Sequence, residues 1–157
     1  MRILIVEDNR HKALDEADAY MFTELLSHFL EIEADTTPLA SEINRKITTF
    51  RPHAILLDLT LEDSKSHETI DRVIPAIADK APVLVLTRQT AEEVGHSIER
   101  GAIAVFEKIE AVQQPEKFSR AIVSAVAEFA QRQTTTYKVK KAQASLLHCE
   151  GILNAHQ

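Results

Sequence analysis

Four short apolar runs punctuate the chain, and each passes without a break into polar residues. Arg2-Ile3-Leu4-Ile5-Val6 ends in Glu7-Asp8, and His53-Ala54-Ile55-Leu56-Leu57 ends in Asp58. Pro82-Val83-Leu84-Val85-Leu86 ends in Thr87, and Ala102-Ile103-Ala104-Val105-Phe106 ends in Glu107-Lys108. Continuous apolar runs, in place of strict alternation, predict strands buried on both faces, as in a parallel sheet covered by helices.

Between these runs the apolar period lengthens. Leu14, Ala17, Met21, Leu25 and Phe29 recur at intervals of three and four, and Phe22, Leu26 and Leu30 widen the stripe, predicting a first helix over about 10–30. The polar stretch at its start, His11-Lys12-Ala13-Leu14-Asp15-Glu16-Ala17-Asp18, reads as an extended loop or extra exposed turns. Residues 31–37 predict a short second strand around Ile32 and Ala34, at a sheet edge because only half of it is apolar. Thr37 as cap and Pro38 as first residue open a second helix with Leu39, Ile43 and Ile47 on one face, and Arg51-Pro52 closes it. A third helix carries Ile70, Val73, Ile74 and Ile77, kinked or shortened by Pro75. A fourth, over 91–100, is thinly apolar with Val94 and Ile98, so its local stability is low, and Gly101 stands just past its end. Gln114-Pro115-Glu116 opens a long last helix that lays Phe118, Ile122, Ala125 and Phe129 on the sheet. Strand and helix alternate five times, which demands a doubly wound parallel sheet with right-handed crossovers.

Parallel packing of the four apolar strands would gather Glu7, Asp8, Asp58, Thr87 and Lys108 at the carboxyl rim, where open α/β sheets place their chemistry. Carboxylates, a hydroxyl and a lysine at one rim suit a divalent cation and a phosphoryl group. Singly, each has a plainer reading: Glu7-Asp8 as a solvated strand end, Asp58 or Thr87 as a cap, Lys108 as a surface charge. Their combination outweighs these.

Composition narrows the class. At 157 residues with 45% apolar and 27% charged residues, the chain reads as one globular domain plus an appendage. Cys149 is alone, so no disulfide framework exists, and with no secretory signal or membrane-length apolar run the expected location is cytoplasmic. Net charge is −6, and residues 134–157 hold Lys138, Lys140 and Lys141 against Glu150, so the preceding body is more acidic than the whole. Such a body argues against nucleic acid as the main ligand and leaves no membrane role. The three glycines stand at 95, 101 and 151, which excludes a glycine-rich nucleotide loop after the first strand. The scattered histidines have no metal-ligand spacing.

Together the motifs resemble the receiver domain of the two-component response-regulator family. Ile3-Leu4-Ile5-Val6-Glu7-Asp8-Asn9 matches the first-strand motif, and the separations Asp58 to Thr87 and Thr87 to Lys108 are close to the family's. The resemblance covers about residues 1–130 and implies a flavodoxin-like, CheY-like sheet of order 2-1-3-4-5 with a C-terminal helical extension. It implies that Asp58 accepts a phosphoryl group from the phosphohistidine of a histidine kinase or phosphotransfer protein. It also implies Mg²⁺ held by Glu7, Asp8, Asp58 and the backbone carbonyl of Thr60, with Thr87 and Lys108 binding the phosphoryl oxygens. Such a domain is not an enzyme beyond its own phosphorylation and dephosphorylation.

Several positions depart from the family. Ile109 replaces the proline after the lysine, Val105 stands where an aromatic switch residue is usual, and Leu61-Glu62-Asp63-Ser64-Lys65-Ser66 lacks the usual proline and glycine. Phe106, one place later, should point to the opposite face. Phosphoacceptance reads as intact and the readout as altered. The alternatives are a phosphorylation-independent receiver-like scaffold, favoured by Val105 and Ile109, and a Mg²⁺-dependent phosphohydrolase, disfavoured because no second acid offers itself as general acid.

The expected division is a receiver domain over 1–132 and, over 133–157, a linker at Thr134-Thr135-Thr136 followed by an amphipathic helix. Only 25 residues follow Arg132, fewer than the roughly 60 of a DNA-binding output module, so output is expected through a downstream protein target. In the tail Val139, Ala142, Leu146, Cys149 and Leu153 alternate by three and four, a coiled-coil seam that predicts a homodimer.

Overall fold

The computed structural model describes residues 1–8, 16–88 and 91–155, with side chains described at 1–8, 19–88 and 91–147. Asn9, Leu14 and the polar stretch 11–15 lie outside the described residues, as do the side chains of Ala17, Cys149 and Leu153. The chain divides into two compact units, Met1–Val126 and Ala127–Gln157.

In the first unit, β1 (Arg2–Val6), β2 (Glu33–Thr37), β3 (Ala54–Asp58), β4 (Val83–Thr87) and β5 (Ala104–Glu107) form one parallel sheet of order β2-β1-β3-β4-β5. This is the expected doubly wound, flavodoxin-like architecture. Successive strand residues point to opposite faces, so each apolar run feeds two cores. Leu4, Val6, Ile55, Leu57, Val83 and Val85 meet Ile43 of α2 (Ile43–Phe50) and the helical segment over 66–77. Ile3, Ile5, Leu56, Leu84 and Leu86 meet Phe22 and Leu26 of α1 (Glu16–Ser27), and Phe118, Ile122 and Ala125 of α7 (Pro115–Ala155). β2 stands at the edge, and its charged residues suit that place.

Several expectations need correction. The second helix does not begin at Pro38: Leu39 is extended, a 3₁₀ turn occupies Ala40–Glu42, and α2 follows. The Thr37 hydroxyl accepts from the Leu39 amide at 3.3 Å and donates to Glu42, while the first helical amides, those of Ala40 and Ser41, donate to the carboxylate of Asp63. α2 ends at Arg51, left-handed at φ 52°, because proline at 52 disfavours continuation of the helix. The third helix is interrupted as Pro75 predicts: α3 (Ser66–Glu68) passes through a π-helical turn (Thr69–Val73) into α4 (Ile74–Ile77), whose first turn holds the proline that lacks an N–H. α5 (Ala91–Glu99) ends before Gly101, at φ 118°.

A helix not anticipated, α6 (Lys108–Gln113), follows β5 directly. Its two buried residues, Lys108 and Ala111, make too short a stripe to read from sequence. Thr134-Thr135-Thr136 is not a break, since α7 continues through it to Ala155. Threonine costs a helix only tenths of a kcal/mol, roughly 0.7 at most, and the Thr134 hydroxyl donates back to the Ala130 carbonyl at 3.0 Å. Phe129, expected on the sheet, belongs to the second unit, where Tyr137, Val139, Leu146 and Leu147 are exposed. Among the described residues no helix is long and apolar enough to cross a membrane.

Candidate functional site

Each site residue stands at or just beyond a strand's carboxyl end. Glu7 follows β1, is held by its amide to the Thr37 carbonyl at 3.0 Å, and is 3% exposed. Asp8, next in the chain, is half-buried. Asp58 is the last residue of β3 and pairs in register with Leu86; buried Thr87 is the last of β4 and pairs with Glu107. Lys108, 9% exposed, opens α6.

Lys108 ties the rim together. Its Nζ donates to Asp58 Oδ2 at 3.0 Å and to Glu7 Oε1, while Asp58 Oδ1 accepts the Thr60 amide at 3.2 Å. Burial, followed by the negative charge of Asp58, pushes the Glu7 carboxyl up to about 8 against the opposing pull of Lys108. Burial alone would lower the Lys108 ammonium, but the carboxylates of Asp58 and Glu7 outweigh it and raise it. Low exposure gives burial and neighbouring charge their weight here, because a charge removed from water is stabilised only by its partners. Glu7 Oε2 is buried with no hydrogen-bond partner.

Among the described residues, no three histidine, cysteine or carboxylate side chains are arranged to hold a metal. Mg²⁺, however, takes one or two carboxylates completed by waters and carbonyl oxygens, so three are not needed. The hard oxygen donors of this rim and the orphaned Glu7 Oε2 fit such an ion.

Of Glu7, Asp8, Asp58, Thr87 and Lys108, all expected at one rim, the structure brings Glu7, Asp58 and Lys108 into direct contact. A cavity of about 420 Å³ beside Thr87 and Lys108, walled by Met21, Ile109 and Val112, was not expected from the sequence. The spacing of Ile109 and Val112 was the available signal. Val105 packs on the α2 side of the sheet and Phe106 on the other, edge-on to Phe118 at 5.2 Å, as strand alternation requires. Ile109 is exposed, and among the described residues there is no cis peptide bond. The loop after Asp58 is held without proline or glycine: Leu59 and Leu61 are buried, and Leu61 and Ser64 exchange backbone hydrogen bonds at 2.8 and 3.5 Å.

No protein-family model and no curated protein sequence matches the chain. Solved structures do. The non-phosphorylated HemR receiver domain from Leptospira biflexa is 24% identical with a TM-score of 0.60, over 80% of this chain and 93% of that one. The response regulator domain of Thermotoga maritima CheB is 14% identical with a TM-score of 0.63, over 81% and 96%. A structure containing amino acids 181–211 of the yeast Spc42 trimeric coiled coil as a fusion is 18% identical with a TM-score of 0.68, over 95% of this chain and 89% of that one. Sheet order, the rim at the strand ends and these likenesses agree: the chain has the fold of a response-regulator receiver domain.

Proposed function

We propose that this chain is a signalling receiver in which Asp58 accepts a phosphoryl group from the phosphohistidine of a histidine kinase or phosphotransfer protein. The observation that carries this reading is Lys108 bridging Asp58 and Glu7 at a buried strand-end rim. Phosphoryl transfer asks chiefly for positioning and neutralisation of charge. Asp58, held through one oxygen by Lys108 and through the other by the Thr60 amide, is an oriented nucleophile. Mg²⁺, held by Asp8, Asp58, the Thr60 carbonyl and Glu7, would supply the remaining neutralisation. Lys108 would exchange its carboxylate partners for a phosphoryl oxygen, and the Thr87 hydroxyl would donate to another. The bond from phosphorus to Asp58 forms as the bond to the donor nitrogen breaks.

The state of Asp58 would then bias a two-state surface that a downstream protein reads. The chemistry is limited to the chain's own phosphorylation and dephosphorylation. Exposed Val139 and Leu146 on the second unit's helix, together with the likeness to a structure carrying a coiled coil, support a second copy of this chain as a partner through residues 127–155.

Incubation with phosphoramidate or acetyl phosphate and Mg²⁺, read by intact mass, tests the assignment. One phosphate is expected, lost with Mg²⁺ removal and absent in Asp58→Asn. A label that survives Asp58→Asn overturns the reading. An unlabelled wild type leaves the phosphorylation-independent scaffold, which half-buried Val105 in place of a ring favours.

A further inference from the structure

The amides that open α2's leading turn are capped from a distant part of the chain. An N-cap oxygen ordinarily comes from the residue just before a helix, but Leu39 stands there and has none to offer. Asp63, in the loop that follows Asp58, supplies it: Oδ1 accepts the Ala40 amide at 2.6 Å and Oδ2 the Ser41 amide at 3.0 Å. A third link runs beside these, from the Glu62 amide to the Pro38 carbonyl at 3.2 Å. The two carboxylate bonds are charge-assisted and therefore the stronger ones. Although burial alone would raise the Asp63 carboxyl, the amides of Ser41 and Ala40 hold it below the usual carboxylate range.

The loop so anchored is short, and its apolar side chains join the core on the α2 side of the sheet. Leu59 and Leu61 are buried beneath it, and the Ser64 hydroxyl meets that of Thr69 at 2.9 Å. Within it lies Thr60, whose amide donates to Asp58 Oδ1 at 3.2 Å. The carbonyl of Thr60 is the metal ligand of the proposed function. Sliding of this loop away from the 38–41 segment would carry Thr60 with it and release one of the two restraints on Asp58.

We infer that Asp63 is a positioning residue for Asp58: it ties the loop after β3 to the crossover between β2 and α2 and thereby fixes Thr60. The assignment rests on Asp58 being the phosphoacceptor. It goes beyond that reading in giving an acidic residue outside the rim a role in the rim's geometry. In this chain the tether restrains a loop that has no proline to stiffen it.

A plain helix cap and a tether differ under one pair of variants. Asp63→Ala removes both cap and tether, while Leu39→Asp with Asp63→Ala restores a local cap without the tether. Three quantities are read on the full chain: the thermal midpoint, hydrogen exchange of the Thr60 amide without metal, and the rate of Asp58 labelling by phosphoramidate with Mg²⁺. Asp63→Ala is expected to lower the midpoint, to speed Thr60 exchange and to slow labelling, the last two by about tenfold. The double variant is expected to regain the midpoint and to leave exchange and labelling impaired. Thr60 exchange unchanged in Asp63→Ala, or labelling and exchange restored together with the midpoint in the double variant, overturns the inference. If the wild type takes no phosphate, the phosphoacceptor reading fails, and Thr60 exchange still decides whether the tether exists.

Discussion

Glu7 carries the largest electrostatic penalty at the rim, and its sign sets how stability follows pH. Its carboxyl is raised from 4.5 to about 8 by burial and by Asp58, so between those values the folded state binds a proton that the unfolded chain has released. Stability must therefore fall as pH rises from about 4.5 to 8. His53 works the other way, since burial and the charges of Arg2 and the amino terminus lower its imidazole. That contribution is lost as pH falls below the ordinary imidazole value of 6.5. Urea titrations of wild type and Glu7→Gln from pH 5 to 8 separate the two, because His53 cancels in the difference. We expect the advantage of Glu7→Gln over wild type to grow with pH in the absence of divalent cations and to shrink when Mg²⁺ is added. A difference independent of pH would show that Glu7 does not hold its proton in the folded state over this range. Lys108 gives a second expectation: Lys108→Met leaves the Asp58 carboxylate without its counter-ion beside a buried Glu7 that keeps its proton, a loss of about 3 kcal/mol. Chemical denaturation at pH 7 should show it, with Mg²⁺ recovering a part.

At the scale of elements, the strands were legible because burial on both faces leaves an unbroken apolar run, and a polar residue then marks the carboxyl end. Lengths were less legible. The turn that leads into α2 is capped not by its own neighbours but by Asp63, which lies about twenty residues further along the chain. Gly101 shows the same mixture. Its place just after a thin helix signalled a left-handed residue, and φ is 118°, but the close approach to Ala78, where an added Cβ would come within 2.8 Å of the Ala78 Cβ, is visible only in three dimensions. Gly101→Ala thus meets both a strained backbone and a clash, and should cost about 2 kcal/mol by thermal or urea unfolding. Introduced into an Ala78→Gly background it escapes the clash but not the strain, so a substantial part of the cost should persist. Complete recovery there would show that φ contributes nothing.

For the whole molecule, the question is what covers the apolar stripe of residues 127–155. The helix continues α7 without a break, and exposed Val139 and Leu146 offer apolar surface that a second copy would cover. Among the described residues both cores draw on residues 1–126, so a chain ending after Gln133 keeps them intact. Sedimentation at micromolar concentration should give a dimer for the full chain and a monomer for the truncated one. A full chain that stays monomeric ends the proposal, and a trimer revises the copy number. The parallel sheet, its order through the motif resemblance, and the rim residues could be read from the residues alone. Each of these follows from period, from local punctuation and from the rule that parallel strands expose their chemistry at one edge. The tertiary structure decided which rim groups touch. Lys108 reaches Glu7 and Asp58 from 101 and 50 residues away, and no local pattern encodes which of several carboxylates an ammonium will choose. It decided the burial that raises Glu7, since desolvation depends on everything packed around a group and not on its neighbours in the chain. It also decided that a carboxylate beyond Asp58 caps a helix across the crossover, because a hydrogen bond between distant segments exists only once the sheet has brought both loops to the same rim.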